Sequence, residues 1–195
     1  QNRLSELKEF KNNYGHINPS TAITEFKSLF SWCVTQRNNY KNKTLSQEKI
    51  DILNSLDFDW NPTETEWQNM FSELKEFKKN YFHTIPSDKS KEFKSLGFWC
   101  ITQRINYKNK TLSQEKIDTL NSLDFDWNPL ETIWQNRFSE LNKFKKNHGH
   151  LKPSRISGEF ISLGNWVNKQ RIDHKNGKLS EERFNLLDSI GFRWN

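Results

Sequence analysis

A repeat of 67 residues is the feature that most constrains how this chain can fold. The stretch KNKTLSQEKID occurs unchanged in the first two copies, and no insertion or deletion interrupts the register. Three sets of residues recur at this spacing: Trp60, Trp127 and Trp194; His16, His83 and His150; and the Gln-Arg pairs beginning at Gln36, Gln103 and Gln170. The sequence therefore predicts three tandem copies of one small module, at residues 1–60, 61–127 and 128–195.

Each module is predicted to contain three helices, which gives an all-α fold of three tandem three-helix bundle modules. Asn128, Pro129 and Glu131 place a cap, a proline and an acid where a helix begins. Apolar residues then follow at spacings of three and four, which is one face of a long helix. In the second module these are Trp67, Phe71, Leu74, Phe77 and Tyr81.

Shorter patterns predict the other two helices of each module. The second helix carries a stripe made by Leu96, Trp99, Cys100 and Gln103, and the third is capped by Ser46, Ser113 or Ser180. We predict a core that includes Phe77, Trp99, Leu120 and Trp127. We also expect Trp60, Trp127 and Trp194 to pack inside their own modules, since the last module keeps this residue.

The start of the chain and its composition set the broad class. The first residue is Gln1, and the first copy lacks the Asn-Pro cap, so we expect a piece of a longer protein whose first repeat is truncated at its N terminus. Aromatic residues make up 14% of the chain, enough to build small cores from few large side chains. Two cysteines form no disulfide framework, and no apolar run reaches the length of a membrane span. A cytoplasmic protein with no membrane contact is expected.

No pattern of catalytic residues emerges from the sequence. A phosphate-binding GxxxxGK[ST] loop is absent from it, as are nucleophile arrangements and metal-ligand spacings. We therefore predict a chain that is not an enzyme, with no catalytic residue, no metal and no cofactor. Cys33 and Cys100 are interpreted as core filling because Val167 stands at the same repeat position. The repeated histidines are expected to hydrogen-bond the loop to the first helix, and the repeated glutamines to bond loop backbone.

Basic residues near the end of the second helix are the candidates for binding. The arginines of the Gln-Arg pairs lie at the margin of the apolar stripe, where they could pair with an acid or contact phosphate or a base. Lysines follow beside the start of the third helix, whose backbone N–H groups favour an anion. Two further cations lie in the loop of the third module. The candidate nucleic-acid-binding residues are Arg37, Lys41, Lys43, Arg104, Lys108, Lys110, Lys152, Arg155, Arg171, Lys175 and Lys178.

The net charge is unevenly distributed along the chain. Residues 1–67 carry a net charge of −1, residues 68–134 carry +1, and residues 135–195 carry +6, which equals the charge of the whole chain. A basic region of this kind favours an anionic partner. We therefore predict that the third module dominates any affinity for nucleic acid.

These residues together resemble the helicase-associated domain, a helical repeat found in tandem behind the motor of some superfamily 2 helicases. The third module carries the matching pattern: His148-Gly149-His150, Leu163-Gly164-Asn165-Trp166, Gln170-Arg171, Gly177-Lys178-Leu179-Ser180 and Gly191-Phe192-Arg193-Trp194. The earlier modules depart from it at Phe30, Asp57, Phe82 and Asp124. The resemblance implies an all-helical accessory domain that binds nucleic acid and is attached to a helicase motor.

Two functions therefore stay open on the sequence alone. The first is a nucleic-acid-binding accessory array, with DNA as the favoured ligand, whose basic loops at helix N-termini contact the phosphate backbone. The alternative is a protein-interaction array that docks on the helicase motor of the same chain or on another partner. Tandem helical modules serve both uses.

Overall fold

A computed structural model describes residues 2–20, 24–156 and 158–194 of the chain. The described residues form helices joined by loops and contain no strand, as the sequence predicted. The first repeat holds α1 (Arg3–Tyr14), α2 (Lys27–Lys41) and α3 (Gln47–Asn54), with a short 3-10 turn at Thr24–Phe26. The second repeat holds α4 (Pro62–Tyr81), α5 (Lys94–Lys108) and α6 (Gln114–Asn121), and the third holds α7 (Pro129–His148), α8 (Ile161–Lys175) and α9 (Glu181–Ser189).

The helices begin at the predicted cap residues, although the side chains of Asn128 and Ser46 make no capping hydrogen bond. The Asn61 side chain accepts a hydrogen bond from the Glu64 amide, and Pro62 occupies the first turn of α4. Ser180 caps α9 in the same way by accepting from the Arg183 amide. The long first helices end at a residue in the left-handed region, which is Gly149 after α7 and Phe82 after α4. Helix ends are therefore determined locally, by residues that the sequence shows directly.

The helices of the third repeat enclose one core. Leu141, Leu163 and Leu187, one from each helix, are fully buried, and Val167 is 2% exposed. Aromatic rings surround these aliphatic residues: Trp134, Phe144 and Phe192 are buried, and Phe138, Phe160, Trp166 and Trp194 are partly buried. Burying several large side chains is what stabilises so short a repeat.

The first repeat has a core of the same design. Leu7, Leu29 and Leu53 occupy the equivalent positions, and Cys33 stands where the third repeat has Val167. The thiol is fully buried, and burial raises the pKa of Cys33 to about 11. This placement confirms that the residue fills the core.

The prediction for the core of the second repeat was correct for two of its four residues. Leu120 is fully buried and Phe77 is 6% exposed, whereas Trp99 and Trp127 are only partly buried. The buried first-helix Trp67 lies against the Trp99 ring, with 5.7 Å between their centroids. Trp99 therefore lies beside a buried indole and remains partly exposed itself.

The closing tryptophans pack inside their own repeats, as predicted. Trp60 stacks on Tyr40 at 4.2 Å between centroids, and its Nε1 donates to the Asn54 side chain. Trp127 stacks on Tyr107 in the same manner.

At a coarser level, the chain divides into two compact units. One contains the residues up to Phe82 with Asp88–Trp99, and the other contains His83–Ser87 with the residues from Cys100 onward. The boundaries of the three modules thus stay a prediction. None of the described helices combines the length and hydropathy that a membrane span requires.

Candidate nucleic-acid interface

The glutamines of the Gln-Arg pairs are buried parts of the core. Gln170 is 4% exposed, and its Oε1 accepts a hydrogen bond of 2.9 Å from Trp134 Nε1. Its amide nitrogen donates back to the Trp166 carbonyl of its own helix. The predicted partner, loop backbone, was therefore wrong for Gln170: the side chain instead joins two helices through an indole.

The arginine of each pair bonds to the closing segment of its own repeat, which is the stretch after the third helix that ends in the repeated Trp (190–194 in the third repeat). Arg171 Nε donates to the Arg193 carbonyl at 2.8 Å, and its guanidinium lies 5.0 Å from the centroid of the Phe192 ring. Arg37 makes the same bond to Asp59, and Arg104 makes it to Asp126. A hydrogen bond and a cation–π contact together fix each side chain.

The rest of the guanidinium differs between repeats. Arg37 also donates from Nη2 to Asn18 Oδ1 at 2.7 Å, and Arg104 donates to the Thr84 carbonyl at 3.1 Å. In the described part of the chain, Arg171 makes only its bond to the Arg193 carbonyl. Arg171 therefore keeps N–H donors that Arg37 and Arg104 use internally.

These surroundings also change the acidity of the arginines. Burial lowers the pKa of Arg37, while the neighbouring Cys33 and Asp59 act in the opposite direction. Burial lowers the pKa of Arg171 as well, and here the nearby Arg155 lowers it further. Among the described residues, no carboxylate offsets the cost of charging Arg171, and an added anion would stabilise its charged form.

A cleft of about 520 Å³ lies beside Arg171 in the third repeat. The end of α7, the loop after it, α8 and the closing segment enclose the cleft. It is lined by Lys145, Gly149, His150, Leu151, Lys152, Arg171, Ile190, Gly191 and Arg193. Four lining residues, Lys145, Lys152, Arg171 and Arg193, are basic and none is acidic, so the cleft carries an excess of positive charge.

The loop that carries Lys152 is held in place from two sides. His150 Nδ1 accepts a hydrogen bond from the Lys152 amide, and the His150 ring packs edge-on against Phe144. Gly164 in α8 leaves room for the backbone at Ser154, where any Cβ would collide with the Ser154 carbonyl. The histidine therefore bonds within its own loop and contacts the first helix by ring packing, which corrects the predicted hydrogen bond to that helix.

Five of the eleven predicted residues belong to the third repeat, and the structure groups three of them. Lys152 and Arg171 line the cleft, and Arg155 is close enough to influence Arg171. Lys175 lines an adjoining concavity of about 600 Å³ together with Arg171, His174 and Trp194. Lys178 lines neither of these two cavities.

The predicted residues of the first two repeats are more scattered. Lys108 and Lys110 line a groove of about 470 Å³ beside the start of α6, where the sequence analysis placed them. Arg104 lies outside this groove, bonded to the closing segment. Lys41 is the last residue of α2, and Lys43 adopts a left-handed conformation just beyond it.

Two cleft residues were missed by sequence reasoning. Lys145 donates from Nζ to the Ile190 carbonyl at 2.9 Å, which places its ammonium group at the edge of the cleft. Arg193 is exposed there, where the earlier repeats have Asp59 and Asp126. The change from acid to arginine at one repeat position was a signal that could have identified Arg193.

Comparisons with known proteins agree with the resemblance seen in the sequence. The family model described as "Helicase associated domain" matches residues 1–61, 64–128 and 131–195. Searches of curated proteins and of solved structures found no match. The family match covers almost the whole chain and repeats three times, in register with the 67-residue spacing.

Proposed function

Because the chain belongs to the helicase-associated domain family, we propose that it is a nucleic-acid-binding accessory array of a larger helicase-like protein. DNA is the favoured ligand. The third repeat contributes most of the affinity through contacts of its cations with the phosphate backbone. The observation that carries this proposal is a set of cations, Lys145, Lys152, Arg155, Arg171 and Arg193, that make no ion pair in the described part of the chain.

Pairing separates these cations from three others of the repeat, which already have acidic partners. Arg137 pairs with Glu140, Lys169 with Asp173, and Arg183 with Glu131. Cations that already have acidic partners add little affinity for an external anion, because the anion would have to replace an existing contact. Unpaired cations gathered on one concave surface attract a polyanion and release its counterions.

The remaining parts of the proposal follow from the family and from the absence of catalytic patterns in the sequence. The chain itself catalyses no reaction, and the ATP-hydrolysing motor is another part of the parent protein, on which this array also packs. The cytoplasm is the proposed location, because two free buried thiols are stable in a reducing compartment.

A protein-interaction array is the second candidate function, and one observation favours it. Ile101 and Ile105 lie one turn apart on α5 with 38% and 52% of their surfaces exposed. The second repeat is nearly neutral, so its exposed apolar residues suit a protein better than a polyanion.

Titration of the chain with duplex, single-stranded and forked DNA over a salt series tests the proposal. Three to five phosphate contacts would give a slope of about −3 to −4.5 in log K against log salt on duplex DNA. A Lys152→Glu/Arg193→Glu variant, which reverses two cations of the cleft, should weaken binding more than the charge-matched Lys108→Glu/Lys110→Glu variant. Both variants change the charge equally, so a difference locates the interface.

Two results would contradict the proposal. Equal losses in the two variants would mean that the second repeat contributes to DNA binding as much as the third. Failure of the chain to bind any DNA, with salt-insensitive binding to a protein instead, would establish the interaction array.

A further inference from the structure

We propose that the cleft of the third repeat is a phosphate-binding site, and that Gly191 and Arg193 are the residues that make it one. The inference rests on the proposed function and deepens it by naming the chemical group that the cleft takes. It is drawn from the equivalent groove of the first repeat, where the protein supplies its own carboxylates.

The groove of the first repeat is a closed network of donors and acceptors. Arg37 donates to Asn18 Oδ1 at 2.7 Å, and Asn18 Nδ2 donates to Asp59 Oδ2 at 3.3 Å. In each of these contacts the acceptor belongs to the same repeat as the donor. No external anion is needed to satisfy these groups.

A second contact in the first repeat marks where an oxyanion lies. Lys11 Nζ donates to the Leu56 carbonyl at 2.9 Å and to Asp57 Oδ2 at 2.7 Å. The carboxylate of Asp57 thus occupies the anion position beside the lysine. That pair is the protein's own version of an ammonium–phosphate contact.

In the third repeat the same lysine position keeps its carbonyl partner and loses its carboxylate. Lys145 donates to the Ile190 carbonyl at 2.9 Å, and Gly191 replaces the aspartate. A Cβ built on Gly191 meets nothing within 4 Å, so the space that the aspartate would fill is open. An external oxyanion can therefore take the place of the missing carboxylate.

The other members of the network become donors only. Lys152 stands in place of Asn18, and Arg193 stands in place of Asp59. Lysine and arginine have no acceptor, so Lys152, Arg171 and Arg193 cannot satisfy one another. A phosphate group offers acceptor oxygens and a negative charge to all of these side chains at once.

The volume of the cleft suits a phosphate group together with part of the molecule that carries it. Its value of about 520 Å³ lies within the range of about 300–1,000 Å³ found for ligand sites. The shared chemistry is a phosphate, which can be free or part of a polynucleotide backbone. The lowered pKa of Arg171 fits this assignment, since an anion would remove the electrostatic cost that Arg155 adds.

The test titrates inorganic phosphate into the whole chain and follows its amide resonances by NMR, with chloride at matched ionic strength as the reference. The signals of Gly149 and Gly191 should move. Arg193→Asp installs the residue of the other repeats and should weaken phosphate binding at least about tenfold, the effect of a charge-assisted hydrogen bond. Gly191→Asp, which returns a carboxylate to Lys145, should do the same.

Lys143→Glu is the control for charge. It changes the net charge by the same amount as Arg193→Asp, but it lies two residues before Lys145 and thus on the other side of α7. This variant should bind phosphate as the parent chain does. Aspartate at 191 has precedent, because Asp57 and Asp124 adopt the same left-handed conformation, and thermal unfolding of each variant checks the fold.

The outcomes separate the inference from the proposed function. The site is established if phosphate changes the amide chemical shifts at the cleft of the parent chain and of Lys143→Glu. The same changes should be lost in Arg193→Asp and Gly191→Asp. If DNA affinity then falls in the same two variants, the phosphate is that of a polynucleotide. Unchanged DNA affinity would assign the site to free phosphate. Absence of phosphate shifts at Gly149 and Gly191, or shifts equal in all variants, would overturn the inference even where DNA binds.

Discussion

The first and third repeats bury equivalent core residues but differ in the charges on the surface beside the core. Arg3 bonds Glu6 and Ser28 in the first repeat, as Arg137 bonds Glu140 and Ser162 in the third. Fully buried leucines occupy the same positions in both. Next to the repeated arginine, by contrast, the first repeat pairs its cations with its own carboxylates, whereas the charged residues that line the cleft of the third repeat are all cations.

This difference shows that few positions can change what a repeat binds without changing its fold. The replacements occur at loop or closing-segment positions, where Asn18, Asp57 and Asp59 correspond to Lys152, Gly191 and Arg193. None of these residues belongs to the central leucine layer. Surface positions of this kind carry little of the stability and can diverge freely.

The largest expected effect tests the shared core. Leu7→Ala and Leu141→Ala should each cost about 2–5 kcal/mol, because each leucine is completely buried and leaves a cavity. Urea denaturation of the whole chain, followed by helical circular dichroism, measures both. A large loss at one leucine with a negligible loss at the other would show that the two repeats do not share one core design.

A smaller effect should separate the repeated arginines. Arg37→Ala should cost about 1.5–3 kcal/mol, because it removes two hydrogen bonds and a cation–π contact. Arg171 makes one such bond in the described chain. Arg171→Ala should therefore lower stability less than Arg37→Ala does, and lower DNA affinity more. The reverse order in either measurement, denaturation or DNA titration, would break the distinction between an internal and a binding arginine.

The smallest expected effect is on the unfolding of the chain at low pH. The hydrogen bond from Lys11 lowers the pKa of Asp57, so the folded carboxylate binds its proton less readily than the unfolded one. Its contribution is present above the unfolded pKa and is lost as pH falls through the folded one, below about pH 4. Asp57→Asn should therefore make acid unfolding slightly less steep there. An unchanged acid profile would indicate that this exposed pair contributes nothing measurable.

Much of the fold was predictable because its signals are local. Caps at Asn61 and Ser180 depend on a side chain bonding an amide three residues away, which spacing alone reveals. The helical stripes were equally visible. Burial of Trp99 and Trp127 was overestimated, because spacing shows which face a residue occupies but not how deeply a wide ring can enter a core that small side chains already fill.

The candidate site was less predictable from the sequence. Arg171, Lys152 and Arg155 were chosen for charge and position, and the structure brings them together. Lys145 was missed because it lies among other basic residues in the last turn of α7, away from the second helix and the loops where binding cations were sought. Only its reach to the Ile190 carbonyl, 45 residues away along the chain, places it in the cleft.

The sequence by itself determined the three repeats, their helices and the concentration of positive charge in the third. These follow from periodicity, capping and composition, which act over a few residues or over whole segments. The tertiary structure decided which charges are paired. That question depends on distances of a few ångströms between groups remote in sequence, and there alone a missing carboxylate at Gly191 becomes a space that an anion can fill.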